Sequence, residues 1–336
     1  ELEADLRHAE LVIESLGLEN CKSVSTPGVE STAKDLDEEE EQVSASESTR
    51  YRTIAARCNY LQPDRPDIQY AVKEVCRRMA KPTASAWEML KRIGRYEKGK
   101  PRLIWRYDWQ AEVEMIEANS DANWAGCKAT RKSTSGGTIA LGGHLIKTYS
   151  KTQATIAKSS GESELYGVIR ASTECLGIST LLEDFGMAGV KVRVGMDANA
   201  AMGIVQRKGL NKLRHIELDV LWIQEQQARR LLPLHKVLGT LNPSDMMTKN
   251  VPMAAMETYL DILNLKFAEG RAAVAQQLHA VGEIGMNGLG RLHFNNCHMP
   301  REIPKNDESK AEAKHIDSWS KAVSYTHLTL PTKSTV

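Results

Sequence analysis

The sequence predicts an α/β protein: a mixed β-sheet covered by helices, preceded by a small helical segment. Three observations carry this. Apolar residues recur at helical spacing from about residue 51 to 100, and the period changes to that of strands near Leu103. Strand-like runs then come in succession. After them, helical and strand-like stretches alternate, which is the pattern of a sheet layered with helices.

The elements follow in chain order. Residues 1–20 predict a helix on Leu6, Leu11, Ile13 and Leu16, stopping near Gly17. Residues 22–50 carry Ser, Thr, Pro, Gly and acids with almost no apolar content, and predict a solvated linker. Ile54, Cys58 and Leu61 share one helix face. Ile68, Val72, Val75 and Met79 share another, after the start signal Arg65-Pro66-Asp67. A third helix runs from about Ser85 to Tyr96, with Trp87, Leu90 and Ile93 inward and Lys91, Arg92, Arg95 and Lys98 outward.

Val113 to Ile116 predicts a strand leading into Asp121. Thr138 to Leu141 and Leu145 to Tyr149 flank Gly142-Gly143 and predict a hairpin. A long amphipathic helix follows from about Gly161 to Phe185, with Ser159 or Ser160 as its cap. Val192 to Met196 is a fourth strand ending at Asp197, and Leu232 to Leu238 a fifth. Between them lie helices from Ala200 to Val205 and from His215 to Ala228. Asn242-Pro243-Ser244 opens a helix carrying Asp245, and residues 252–284 predict a mildly amphipathic helix. Beyond Gly285 the pattern fades, and Ser324 to Val336 is unlike the rest. The expected partition is 1–50 (helix and acidic linker), 51–108 (helical connection), 109–252 (sheet domain) and 253–336 (helical, then disordered tail).

Composition bounds the possibilities. Lys and Arg number 44 against 43 Asp and Glu, so net charge argues for no particular partner. The acidic run Asp35 to Glu41 and the basic stretch Lys73 to Arg102 create local asymmetry instead. No apolar run is long enough to span a bilayer and no signal stretch opens the chain. The six cysteines are scattered without a Cys-x-x-Cys pair, which predicts reduced thiols in a cytoplasmic or nuclear protein. The chain opens on Glu1 rather than Met, which predicts a fragment or one part of a polyprotein.

Four carboxylates carry the chemistry: Asp121, Glu164, Asp197 and Asp245. Each falls where a short strand ends or a helix begins. Acids gathered at one point repel unless divalent cations neutralise them, an arrangement suited to two-metal cleavage of a phosphodiester. His293, Cys297 and His298 lack an evident fourth ligand and predict no metal site.

The motifs around these acids resemble a known family. Ser120 to Gly126, followed by Arg131 to Gly136, is similar to the opening of the ribonuclease H domain in copia-type LTR retrotransposon Pol polyproteins. Ser159 to Tyr166 resembles that family's Ser-Ser-x-Glu-Ala-Glu-Tyr helix start. Asp197 to Ala201 resembles Asp-Asn-x-Ser-Ala, His215-Ile216-Glu217 resembles His-Ile-Asp, and Ser244 to Lys249 resembles Ala-Asp-Ile-Leu-Thr-Lys. Tyr51-Arg52, Arg65 to Ile68 and Lys91 to Tyr96 are similar to the reverse-transcriptase connection upstream. The likeness runs from about residue 5 to 255.

The resemblance implies a ribonuclease H-like five-stranded mixed sheet with flanking helices. It implies Asp121, Glu164, Asp197 and Asp245 as catalytic and metal-binding residues, with Glu164 favoured over Glu162. Two Mg²⁺ ions about 3.5–4 Å apart would clamp the scissile phosphate, with Mn²⁺ able to substitute. The implied substrate is the RNA strand of an RNA/DNA hybrid, and the implied partner the upstream reverse transcriptase palm domain of the same polyprotein. Arg131, Lys132, Ser133 and Thr134 are candidate phosphate donors, and Lys91, Arg92 and Arg95, with Lys98, a candidate basic track.

Ala198 replaces the family's Asn and Glu217 its Asp, changes on the substrate side that also suit a decayed, non-catalytic nucleic-acid-binding remnant. His215 is expected to cap or pack. A transposase or integrase on the same fold is disfavoured, because Glu comes second among the acids. The absence of a Tyr-x-Asp-Asp signature predicts no polymerase activity.

Overall fold

The computed structural model describes residues 1–30, 42–111, 113–209 and 214–272. All fall within one compact unit, Glu1–His279. The acidic run Asp35 to Glu41, the trio His293, Cys297 and His298, and the tail beyond residue 272 lie outside the described residues.

The first layer is helical. Helix α1 (Leu6–Leu16) starts on Asp5, whose side chain accepts the Arg7 amide, and stops at Gly17, left-handed at φ 68°. Helix α2 (Ala45–Leu61) opens with a capping box between Ser44 and Glu47, so structure begins inside the stretch expected as linker. Helix α3 (Pro66–Cys76) has Pro at its first turn, where no amide is missed. Helix α4 (Ala84–Gly99) is capped by Thr83. Ile54, Ile68, Val72, Leu90 and Ile93 meet in their shared core. A buried ion network anchors it. Arg65, 1% exposed, holds Asp67 with two hydrogen bonds (2.9 and 2.7 Å) and Glu97 with one (2.6 Å), and the Tyr96 hydroxyl donates to Asp67 at 2.9 Å.

The second layer is a five-stranded sheet. Strands β2 (Met115–Asn123), β3 (Thr134–Leu141) and β4 (His144–Thr152) are antiparallel, while β5 (Lys191–Met196) and β6 (Leu234–Lys236) run parallel to β2. The order is β4-β3-β2-β5-β6, which is the mixed sheet expected. Helices α5 (Ser160–Asp184), α6 (Asn199–Gln206) and α7 (Glu217–Ala228) accompany it. Ile116, Ala118, Val192, Val194 and Met196 of the sheet pack with Leu165 and Val168 of α5 and Val220 of α7. On α5, Ser159 serves as cap: its side chain accepts the Glu162 amide.

Two segments differ from expectation. The helix expected around Asp245 is a five-residue 3-10 turn, Pro243–Met247, because the Asn242 side chain and Pro243 set its first turn and it ends at Thr248. The helix expected over 252–284 is α8 (Met253–Ile262) followed, after left-handed Asn264, by strand β7 (Leu265–Ala268). Strand β7 pairs antiparallel with β1 (Arg102–Trp105). Its Leu265, with Met256 and Leu260 of α8 and with Met246 and Met247, joins the core of the first four helices. The turn carrying Asp245 is therefore anchored by the helical layer while it faces the sheet.

Candidate metal centre

Close packing brings the acid-bearing elements together. Asp121 lies on β2 opposite Gly136 of β3. A Cβ on Gly136 would come within 2.6 Å of Met247 Cβ and Thr248 Cγ2, so only glycine lets the 3-10 turn sit against the sheet there. A Cβ on Gly167 would lie 2.8 Å from Ser120 Oγ, so that glycine lets α5 approach β2. The Asn242 side chain donates to the Ser120 carbonyl (3.0 Å) and Ser244 Oγ to the Asn119 carbonyl (2.7 Å), pinning the turn to the strand bearing Asp121.

The result is an acidic centre. Carboxylate oxygens of Asp121, Asp197 and Asp245 lie within 4.8 Å of one another. Glu164, in the first turns of α5, stands outside that 4.8 Å set but feels the charge of all three. Burial, then the charges of Asp121 and Asp197, push its carboxyl up to about 9, against a backbone hydrogen bond from Ala122. Its Oε2 is buried without a hydrogen-bond partner. Asp121 is pushed up to about 6 by burial and Asp245, against the Thr248 hydroxyl that donates to its Oδ2. Burial and Asp245 also raise Asp197.

Asp245 is partnered differently: its Oδ2 accepts from the Tyr259 hydroxyl (3.2 Å) and from the Lys249 ammonium (2.8 Å). Burial, then Asp245, push the Tyr259 hydroxyl up to about 12. Burial works against the charge on Lys249, but the hydrogen bond and charge of Asp245 outweigh it and raise the ammonium overall. Thr248 and Lys249 stand inside the motif that delivered Asp245, but residue pattern alone gave them no role, and Tyr259 carried no sequence signal.

Glu162 and Glu164 part ways two residues apart. Glu162 accepts the Lys158 amide (3.2 Å) and faces His215 Nε2 (3.0 Å), so both its oxygens are engaged away from the acids. His215 packs on the start of α5 through that pair.

The expected nucleic-acid contacts divide. Arg131, left-handed at φ 54°, is exposed and Lys132 partly so. Ser133 and Thr134 are buried instead. Ser133 Oγ accepts the Ala125 amide (3.0 Å), and Thr134 Oγ1 accepts from Lys73 Nζ (2.6 Å). Their hydroxyls hold the loop's shape. The basic face of α4 is also engaged internally. Arg92 donates to Thr26 Oγ1 (2.9 Å), Arg95 to the Lys22 carbonyl (2.8 Å), and Lys98 to the Glu19 and Cys21 carbonyls (2.7 and 2.6 Å). Lys91 pairs with Glu88 at 2.7 Å. That face straps residues 19–26 down, and those residues are correspondingly not a free linker.

The sheet order β4-β3-β2-β5-β6, the helices around it and an acidic centre drawn from β2, the end of β5 and the Pro243–Met247 turn make a mixed α/β domain with a candidate metal centre. No protein-family model matches the chain. It is 35% identical over 176 residues to an uncharacterized mitochondrial protein of Arabidopsis thaliana, covering 50% of this chain and 68% of that protein. It is 30% identical over 218 residues to the retrovirus-related Pol polyprotein from transposon RE1 of Arabidopsis thaliana, covering 64% of this chain and 15% of the polyprotein. With the Pol polyprotein from transposon TNT 1-94 of Nicotiana tabacum it shares 26% identity over 264 residues, 77% of this chain and 20% of the polyprotein. Relatives of the chain thus include Pol polyproteins of copia-type retrotransposons.

The chain thus spans about a fifth or less of the Pol polyproteins it matches. Similar solved structures include an RNase H1 isolated from compost (TM-score 0.32, 17% identity, 44% of this chain and 99% of that one) and RNase H1 from Halobacterium salinarum (TM-score 0.29, 13% identity, 40% and 94%). Among the described residues, no helix is long and apolar enough to cross a membrane.

Proposed function

We propose that the chain is the ribonuclease H part of a copia-type reverse transcriptase, cutting the RNA strand of RNA/DNA hybrids with two Mg²⁺ ions, or Mn²⁺ in their place. The observation that supports this most is the meeting of three aspartates within 4.8 Å, from elements far apart in sequence, with Glu164 bearing on all three. The donor set fits hard divalent cations. It is all carboxylate oxygen, it includes a buried Glu164 Oε2 with no partner, and a tethered ammonium already stands among the acids. When bound, such ions supply Lewis-acid chemistry: a more acidic water and a stabilised leaving oxygen.

The protein's own groups set the stage. Thr248 occupies one oxygen of Asp121, and Tyr259 with Lys249 occupies one oxygen of Asp245, which fixes the direction of the remaining lone pairs. Burial of Asp121 and Glu164 excludes water that would otherwise screen the site. Arg131 and Lys132, displayed on the loop after β2, contact substrate phosphates. The upstream palm domain of the same polyprotein is the partner that delivers the hybrid, in the cytoplasm or nucleus.

The test is cleavage of a hybrid labelled on its RNA strand. Wild type is expected to cut it with Mg²⁺ or Mn²⁺ and to leave the DNA strand whole, and Asp121→Asn and Asp197→Asn are expected to abolish cutting. Variants that cut as fast as wild type would overturn the assignment. A gel shift with hybrid but no cleavage in either metal would favour instead a non-catalytic remnant, the reading to which Ala198 and Glu217 point.

A further inference from the structure

Lys249 brings a cation into direct contact with the acidic centre. It follows the 3-10 turn four residues after Asp245, and its ammonium lies 2.8 Å from Asp245 Oδ2. Asp121 and Asp197 act on the same ammonium. Its side chain is 45% exposed while that of Asp245 is 12% exposed, so the charged tip lies at the mouth of the site with a flexible stem leading to solvent. The Tyr259 hydroxyl shares the same Asp245 oxygen, so this oxygen is fully engaged when the ammonium is in place.

We propose that Lys249 is the tethered counter-ion of the metal-free centre: its ammonium offsets the repulsion among the three aspartates and must leave Asp245 before a divalent cation takes that oxygen. This rests on the acids being the metal site. Lys249 therefore weakens metal binding and steadies the empty fold. An ammonium suits this role better than a guanidinium. It is a compact point charge on a long stem, joined through a single geometry and strongly hydrated once released, and half-exposed pairs of this kind are readily displaced. Arginine at this position would grip the carboxylate with two parallel hydrogen bonds and release it less easily.

The experiment is calorimetric titration of the purified full chain with Mn²⁺, beside thermal melts in chelator and in Mn²⁺, for wild type, Lys249→Gln and Lys249→Arg. Lys249→Gln is expected to bind Mn²⁺ about two- to five-fold more tightly, the factor one exposed ion pair contributes. It should also melt lower in chelator and gain more on adding Mn²⁺. Lys249→Arg is expected to bind Mn²⁺ more weakly than wild type and to melt in chelator no lower. Lys249→Gln binding Mn²⁺ no more tightly than wild type, or Lys249→Arg matching Lys249→Gln, overturns the proposal. An Asp121→Asn, Asp197→Asn double variant separates the two readings. If it binds Mn²⁺ as wild type does, the metal assignment itself falls, whatever the Lys249 variants show.

Discussion

The raised carboxyls of the acidic centre make the stability of the metal-free protein fall with pH. Glu164 is held near 9 in the folded chain and returns to an ordinary glutamate value, about 4.3, when unfolded. Between those values the folded chain carries a proton that the unfolded chain has lost. An acid raised by folding contributes its full stability below its unfolded value and loses it as pH climbs toward its folded value, so the slope is negative. One proton corresponds to about 1.4 kcal/mol per pH unit, or about 3 kcal/mol between pH 5.5 and 7.5. Asp121, held near 6, shares the repulsion, and division of the protonation between them reduces the Glu164 share to about 1–3 kcal/mol.

The clean measurement is a difference. Urea denaturation in chelator is run for wild type and Glu164→Gln at pH 5.5 and 7.5, which cancels other titrating groups such as Glu97, itself pushed up to about 7 by burial. Glu164→Gln is expected to gain on wild type by about 1–3 kcal/mol over that interval. Saturating Mg²⁺ should flatten or invert the wild-type slope, because ligands must be ionised to bind. Parallel pH profiles for the two proteins in chelator would refute the reasoning.

Three further outcomes follow from geometry. Gly136→Ala places a methyl against Met247 and Thr248 and is expected to cost about 1–3 kcal/mol in a urea melt and to weaken Mn²⁺ binding by displacing the Asp245 turn. Arg65→Met leaves Asp67 and Glu97 buried without their cation, a loss of about 3–5 kcal/mol by denaturation, and adding Asp67→Asn and Glu97→Gln should recover much of it. Arg131→Ala and Lys132→Ala should each weaken hybrid binding in fluorescence anisotropy and lower the salt slope by about one, with cleavage of bound hybrid unchanged.

Much of the architecture was legible because it rests on local periodicity. The hairpin at Gly142-Gly143, α5 behind Ser159 and the strand ending at Asp197 all follow from spacing and caps. Asp121, Asp197 and Asp245, which the sequence singled out within recognisable runs, do come together in the structure. What spacing does not show is the partner of a polar side chain. Ser133 and Thr134 read as exposed donors, yet a backbone amide and Lys73 claim their hydroxyls. The outward face of α4 read as a basic track, yet residues 19–26 lie along it and take up Arg92, Arg95 and Lys98. Strand β7 was missed for a related reason: four residues carry little period, and its strand character comes from pairing with β1, about 160 residues earlier. Tyr259 supports Asp245 across a gap of 14 residues that no short motif spans.

The two methionines after Asp245 belong to the packing of the first four helices. Excising the sheet alone, from about 109 to 252, would strip those methionines of their setting and take Tyr259 away altogether. The acid on that turn would then hang from a loosened hook. In this chain the helices that precede the sheet thus help hold the Asp245 turn in place, and moving the sheet as a portable cassette would require carrying both flanks along with it.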